Sequence, residues 1–174
     1  MIELQRITTL YAERDDRIRL SGELPDGQAC VLWLTRRLLD RLLPHLWEWL
    51  IQQGLPHAQA AGQAGQADTL QAFAQQAVRE HHRATPERPV EVPESAQAAA
   101  RLVTTVELGR HAQYLRLSFK EGEEPIARLT LSDALLRQWL NILADQYRRA
   151  EWSLQAWPAW MQEAPGPAVS VVMH

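Results

Sequence analysis

The feature of this sequence that most constrains its fold is a pattern that returns after 97 residues. The segment IRLS at residues 18–21 lies over LRLS at residues 115–118, and the same offset carries Thr35 onto Ser132 without a gap. Leucines keep the offset in the pairs Leu32/Leu129, Leu34/Leu131, Leu38/Leu135, Leu39/Leu136, Leu43/Leu140 and Leu46/Leu143. The chain is therefore predicted to consist of two related halves.

The first strand of each half matches only after a shift of one residue, which places ITTL at residues 7–10 over VTTV at residues 103–106. Any two strand–strand–strand–helix units share some leucine pattern, but the constant offset and the matched caps favour an internal duplication. A period of 97 residues far exceeds the repeats of solenoids and propellers, so it predicts two half-domains rather than an array.

Apolar and polar residues alternate in a way that predicts three strands in each half. The predicted strands cover residues 4–12, 17–23 and 29–34 in the first half and residues 102–108, 114–119 and 126–131 in the second. Thr35 and Ser132 are expected to cap the helices that follow. The first helix is predicted to run to Gln53 and to end at Gly54, with a kink or a break at Pro44.

An Ala/Gln-rich stretch and a proline-rich connector separate the two halves. A helix is predicted over residues 69–82, because Leu70, Phe73, Ala74, Ala77 and Val78 share one face of it and Asp68 can cap it.

A unit of three strands and one helix has an apolar face that it cannot bury alone. We therefore predict one α+β domain over residues 1–174, in which two β-β-β-α halves pair into an antiparallel sheet, a sandwich or a small barrel with flanking helices. The predicted parts are residues 4–53 (first half), 54–99 (helical insertion and connector), 100–157 (second half, with a long C-terminal helix) and 158–174 (a tail with an edge strand at 168–173).

Composition limits the environment and the partners. The net charge of −3 gives no overall attraction to nucleic acid or to an anionic membrane, although it is compatible with a local basic patch. No apolar run approaches the roughly 20 residues of a membrane-spanning helix, and no signal peptide is recognisable. The single cysteine, Cys30, lies in an apolar run and is expected to be a buried free thiol. We expect a cytoplasmic protein, although a secreted chain after signal removal would have the same pattern.

The C-terminal helix is predicted to extend to Trp157, before Pro158, and it carries a heptad seam. The seam comprises Leu136, Leu140, Leu143, Tyr147, Ala150, Leu154 and Trp157. It predicts either self-association or packing against the first helix within one chain, and both alternatives stay open. Tryptophans near its end form either a satellite core or an interface. The candidate interface residues are Leu140, Leu143, Tyr147, Trp152, Leu154, Trp157 and Trp160.

No catalytic motif is present in the sequence, and we expect no metal site and no cofactor. Glu80, His81 and His82 are interpreted as a solvated helix end. Arg36 and Arg37 are more informative, because cations are disfavoured in the first turn of a helix. Together with Arg41 they form a candidate anion-binding site, and the alternative is that they splay into water or pair with acids such as Asp40.

The order of strands, helical insertion, strands and long heptad helix is similar to that of the head-plus-stalk dimers of the DNA end-joining scaffold family and the centriolar cartwheel protein family. The resemblance spans the chain, rests on element order alone, and implies a scaffold that self-associates. We therefore expect a non-enzymatic assembly or adaptor protein that forms a homodimer or binds a protein partner. The alternative is a domain, with or without enzymatic activity, that binds a small ligand or an anion at the junction of the halves and at Arg36 and Arg37.

Overall fold

The computed structural model describes residues 1–61 and 64–162, and within that part the side chains of residues 55–61 and 64–67 are not described. The architecture is α+β, as predicted, with two four-stranded sheets and no closed barrel among the described residues. The strands are β1 Ile2–Leu4, β2 Arg6–Ala12, β3 Arg17–Glu23, β4 Ala29–Leu34, β5 Arg101–Leu102, β6 Thr105–Arg110, β7 Tyr114–Glu121 and β8 Glu124–Ser132. The helices are α1 Arg36–Ala61, α2 Ala64–Ala84, α3 Glu94–Ala98, α4 Asp133–Arg149 and α5 Ala159–Gln162. The predicted edge strand at residues 168–173 lies outside the described residues.

Each sheet combines three antiparallel strands from one half with a short parallel strand from the other half. The strand order is β2-β3-β4-β5 in one sheet and β1-β8-β7-β6 in the other. β5 comes from the second half and pairs with β4, whereas β1 comes from the first half and pairs with β8. The halves thus exchange their first strands, so neither sheet is complete within its own half.

The offset of 97 residues holds in the register of the strand pairs. Moving one residue pair by 97 positions produces its counterpart in the other sheet, as in Ile18–Leu34 and Leu115–Leu131, and in Leu4–Leu129 and Arg101–Leu32.

The first long strand of each half departs from the predicted alignment. By register, Ile7 in β2 corresponds to Val106 in β6 and not to Val103. The reason is the length of the turn that follows, which spans residues 13–16 between paired positions in the first half but only residues 112–113 in the second. A turn that is shorter by two residues moves the whole strand along its neighbour.

The two predicted helix caps are confirmed. Thr35 Oγ1 accepts a hydrogen bond from the Leu38 N–H at 3.2 Å, and Ser132 Oγ accepts one from the Leu135 N–H at 3.3 Å. Each hydroxyl satisfies one of the backbone donors that a helix start leaves without an intrahelical partner.

One apolar core joins both sheets and the helices. Equivalent positions of α1 and α4 are no more than 1% exposed: Leu39, Leu43, Leu46 and Leu50 on α1, and Leu136, Leu140, Leu143 and Tyr147 on α4. Each helix also reaches the opposite half. Trp139 Nε1 of α4 donates to Thr9 Oγ1 at 3.0 Å, and Trp49 Nε1 of α1 donates to the His111 carbonyl at 3.2 Å. Helices and exchanged strands therefore interlock the halves.

α4 ends at Arg149, well before its predicted end. Glu151 adopts a left-handed conformation, with φ of 57°, and its N–H donates to the Arg148 carbonyl at 3.1 Å. The Trp152 N–H donates to the Tyr147 carbonyl at 2.9 Å, and the rings of these two residues meet at 5.1 Å. This is a Schellman helix end with its usual apolar contact.

The predicted interface residues lie inside the chain. Exposure ranges from 0% to 7% for Leu140, Leu143, Tyr147, Trp152, Trp157 and Trp160, and Leu154 packs partly buried against the core. The chain folds back after α4, and Trp157 meets Trp47 of α1 at 5.3 Å. The heptad seam therefore stops at Tyr147, no stalk projects from the described residues, and these side chains offer no surface to a second copy. Self-association through another surface stays a prediction.

α1 continues through Pro44 and Gly54, where the sequence predicts an interruption and an end. A Cβ on Gly54 would lie 2.7 Å from Gln71 Nε2, and that nitrogen donates to the Leu50 carbonyl at 3.3 Å. Gly54 therefore makes room for a side chain of α2 and does not end the helix.

α2 is longer than predicted, so Asp68 lies inside the helix and does not cap it. The predicted apolar face is not the buried one, because Leu70 is 46% and Phe73 is 66% exposed. Gln71 and Gln75 are buried instead, at 6% and 1% exposure. No helix in the described part of the chain has the length and apolar character needed to cross a membrane.

Candidate anion-binding groove

Of the three arginines predicted to bind an anion, Arg36 is engaged with other side chains of the protein. Arg36 pairs with Asp40, with 3.4 Å between Nε and Oδ2, and its guanidinium lies 5.9 Å from the centre of a Trp152 ring. Arg37 and Arg41 are exposed on α1. The pairing of Arg36 with an acid one turn away is the alternative that the sequence analysis left open.

Arg36 lines a cavity of about 420 Å³ with Asp40, Trp47 and Trp157, and neither Arg37 nor Arg41 is part of its wall. Trp47 Nε1 is buried there without a hydrogen-bond partner. The charges of Arg36 and Asp40 cancel, so this cavity has no excess charge of either sign to attract an ion.

The other chemical candidates of the sequence are not arranged for catalysis. Cys30 is only partly buried, contrary to expectation, and burial raises the pKa of its thiol despite the opposing effect of Arg101. A thiol with a raised pKa is a poor nucleophile at neutral pH. Among the described residues, no three His, Cys, Asp or Glu side chains are placed to hold a metal ion.

A buried polar ladder joins α2 to α4 and explains why α2 turns its glutamines inward. Arg137 is 3% exposed, and its Nη2 donates to Gln71 Oε1 at 2.6 Å. Its Nε donates to Asp133 Oδ1 at 2.9 Å. Gln75 Nε2 donates both to the Arg137 carbonyl and to Asn141 Oδ1, each at 2.8 Å. Burying a guanidinium is costly unless its donors are satisfied, and polar side chains on α2 add acceptors to the one that Asp133 provides.

Beyond Asn141 the ladder opens into a cavity of about 430 Å³ between the two helices. We call this cavity the arginine groove. It is lined by Arg79, His82 and Arg83 from α2 and by Gln138, Asn141, Ile142, Asp145 and Arg148 from α4.

Hydrogen bonds fix the polar wall of the arginine groove. Asn141 Oδ1 accepts from Gln75 Nε2 and also from Arg79 Nη2, the latter at 3.2 Å. Two donors on one oxygen set the orientation of the amide, and its Nδ2 is then a buried donor without an acceptor. On the other side of the groove, Gln138 Nε2 and His82 Nδ1 are hydrogen-bonded at 3.0 Å.

The arginine groove carries excess positive charge. Among the described residues that line the groove, Asp145 is the one acid beside Arg79, Arg83 and Arg148, which gives this lining a net charge of +2 when His82 is neutral. Arg148 Nη1 donates to Asp145 Oδ1 at 2.7 Å. Burial lowers the pKa of the Arg79 guanidinium, and the charges of Arg148 and Arg83 lower it further, whereas Asp145 raises it. A bound anion would relieve this mutual repulsion.

The sequence analysis missed these arginines, although a signal for them was present. Gln71, Gln75, Arg79 and Arg83 are spaced by four residues on α2. Gln138, Asn141, Asp145 and Arg148 follow steps of three, four and three on α4. Such spacing places each set on one helix face, so two polar stripes could have been paired.

No protein-family model, curated protein or solved structure matches this chain. The arginine groove is therefore interpreted from its own chemistry.

Proposed function

We propose that this protein binds a small molecule bearing a phosphate or carboxylate group, and that the arginine groove is its site. The observation that carries the proposal is that three arginines line one cavity, with one acid among its described lining residues. The cavity volume of about 430 Å³ falls within the range that small-ligand sites usually have.

The arginines of the groove contribute to binding in different ways. Arg83 and Arg148 are exposed on opposite walls and supply charge-assisted donors to the anion. Arg79 is partly buried and held by Asn141, so it contributes charge from the floor of the groove.

This proposal keeps the ligand-binding alternative of the sequence analysis but moves it from the start of α1 to the faces of α2 and α4. No observation on the described residues favours a chemical reaction, so the proposed role is binding. The assembly function stays a prediction, and six of its seven candidate interface side chains are buried within the chain.

Calorimetric titration with pyrophosphate and with inorganic phosphate tests the proposal. The double variant Arg83→Gln/Arg148→Gln removes two groove charges, and Arg37→Gln/Arg41→Gln removes two exposed charges of α1 as a matched control. We expect the groove variant to lose at least tenfold in affinity for pyrophosphate, because each lost charge-assisted hydrogen bond is worth about 1.5–3 kcal/mol. The control should change by less than about twofold, as expected for screened distant charges.

Two results would overturn the proposal. Equal losses in both variants would mean that pyrophosphate responds only to net charge. A loss confined to Arg37→Gln/Arg41→Gln would return the site to the start of α1.

A further inference from the structure

A small recess lies between α4 and the strands, next to the arginine groove. The recess has a volume of about 120 Å³, and it shares Gln138 and Ile142 with the groove. The apolar side chains of its wall are Ile7, Leu129, Leu131, Leu135, Trp139 and Ile142.

Three polar side chains of the recess wall are hydrogen-bonded to other protein atoms. Arg6 Nε donates to Glu23 Oε2 at 2.8 Å, and Thr130 Oγ1 donates to Glu3 Oε1 at 2.7 Å. Trp139 uses its N–H on Thr9 and therefore presents only its ring. The recess thus adds apolar side chains to the hydrogen-bond donors of the groove.

The arginine groove and the recess also differ in charge. The groove has three arginines, whereas the recess wall has Arg6, which pairs with Glu23, and the exposed Glu87. An anionic group is attracted to the first end and repelled from the second, so the order of the two subsites gives a bound molecule one orientation.

From this arrangement we propose that the ligand is a small amphipathic anion: a phosphate or carboxylate attached to a short alkyl chain or a single ring. The anionic group lies among Arg79, Arg83 and Arg148, and the apolar part passes Ile142 into the recess. The inference rests on the proposed function and adds the apolar half of the ligand. A recess of about 120 Å³ accepts only a short chain, which argues against a long-chain lipid.

A homologous series of phosphates measures the apolar contribution. Inorganic phosphate, ethyl phosphate, butyl phosphate and hexyl phosphate are titrated calorimetrically into the full chain. Burial of one methylene group strengthens binding by up to about fourfold. We expect the affinity to rise through the first members of the series and to level off once the recess is full.

Leu135→Asp tests the location. Leu135 is 47% exposed and lines the recess but not the groove, so a carboxylate there is compatible with folding and spares the arginines. Leu70→Asp is the matched control, because Leu70 is 46% exposed on α2 and lines neither cavity. Leu135→Asp should remove the dependence on chain length and leave the affinity for inorganic phosphate within about twofold, whereas Leu70→Asp should keep both.

The outcomes separate the two proposals. If phosphate binds but the affinity does not grow with chain length, the recess is not a subsite and the proposed function stands. The same conclusion follows if Leu135→Asp leaves the dependence intact, or if Leu70→Asp also removes it. If neither phosphate nor any alkyl phosphate binds, the proposed function itself fails.

Discussion

The starts of α1 and α4 carry the same ion pair with its charges exchanged. Arg36 and Asp40 on α1 correspond, at the offset of 97 residues, to Asp133 and Arg137 on α4. The first pair is loose, at 3.4 Å, with both side chains 49% exposed. In the second pair, at 2.9 Å, the arginine side chain is only 4% exposed. The same position at the start of each helix thus holds a half-exposed ion pair on α1 and an ion pair with a buried arginine on α4.

Helix α2, which belongs to the insertion between the halves, packs over Arg137. Because Arg137 lies beneath it, α2 presents Gln71 and Gln75 inward, and the resulting polar face leads into the arginine groove. Asp40 at the equivalent place on α1 pairs with Arg36 and accepts a hydrogen bond from Tyr147, at 2.8 Å. We infer that the halves are copies of one unit, and that binding arises where the insertion makes them unlike.

The largest expected effect comes from removing the covered arginine. Arg137→Met leaves the side-chain oxygens of Gln71 and Gln75 buried without donors, and it should lower the free energy of unfolding by roughly 2–4 kcal/mol. Arg36→Met at the equivalent place should cost less than about 1 kcal/mol, because its pair is half-exposed. Urea unfolding measures both variants, and equal losses would contradict the comparison.

A second pair of variants tests which face of α2 is attached. Gln75→Ala removes both hydrogen bonds that Gln75 donates to α4 and should cost about 1–3 kcal/mol. Phe73→Ala removes a ring that is 66% exposed and should change the stability by less than about 0.5 kcal/mol. If Phe73→Ala were the more damaging variant in urea unfolding, the apolar face predicted from the sequence would be the true contact.

Tyr147 has no counterpart in the first half, where the equivalent residue is Leu50. Burial and then the hydrogen bond to Asp40 raise the pKa of Tyr147 in the folded protein. An unfolded tyrosine loses its proton near pH 10, so the contribution of Tyr147 is complete below that pH. Above it the unfolded state binds fewer protons than the folded state, and the free energy of unfolding falls as pH rises.

The variant Tyr147→Phe should therefore do two things. At neutral pH it should cost about 1 kcal/mol through loss of the hydrogen bond to Asp40. Above about pH 10 its stability should fall less steeply than that of the wild type, with a difference of up to about 1.4 kcal/mol per pH unit. If the free energies of unfolding of the two proteins fell equally between pH 9 and 11.5, the pKa of Tyr147 would not be raised in the folded protein.

The smallest effect is expected at Gly54. Gly54→Ala gains about 1 kcal/mol of helix propensity but displaces the Gln71 amide from the Leu50 carbonyl, so the net change should be near zero. In a Gln71→Ala background the same substitution should stabilise the protein by about 0.5–1 kcal/mol. Thermal unfolding of the four proteins checks this, and an equal effect in both backgrounds would exclude the contact between Gly54 and Gln71.

The six antiparallel strands, the caps and the fold class could be predicted because their signals are local, whereas the parallel pairing of the short strands β1 and β5 was not predicted. Alternation identifies a strand, and Thr35 or Ser132 before a leucine-rich run identifies a helix start. The end of α4 could not be predicted in this way, because Glu151 takes the left-handed conformation where a glycine is usual.

The arginine groove escaped prediction for a different reason. Apolar residues usually mark the buried face of a helix, yet Leu70 and Phe73 are exposed because Arg137 needs polar partners from α2. That need depends on which helix covers which arginine, a tertiary fact that no periodicity of one segment contains. Pairing the polar stripes of α2 and α4 is the step that would have located Arg79, Arg83 and Arg148.

The claim that binding belongs to the half covered by α2 is tested most directly by a ¹⁵N NMR titration of the labelled protein with pyrophosphate. The account predicts saturable shift changes at residues 79–83 and 138–148, including the arginine Nε–H signals of Arg79, Arg83 and Arg148. It predicts no more than small, non-saturating changes at residues 35–41 of the equivalent helix start. Saturable changes centred on Arg36, Arg37 and Arg41, or an absence of saturable changes anywhere, would contradict it.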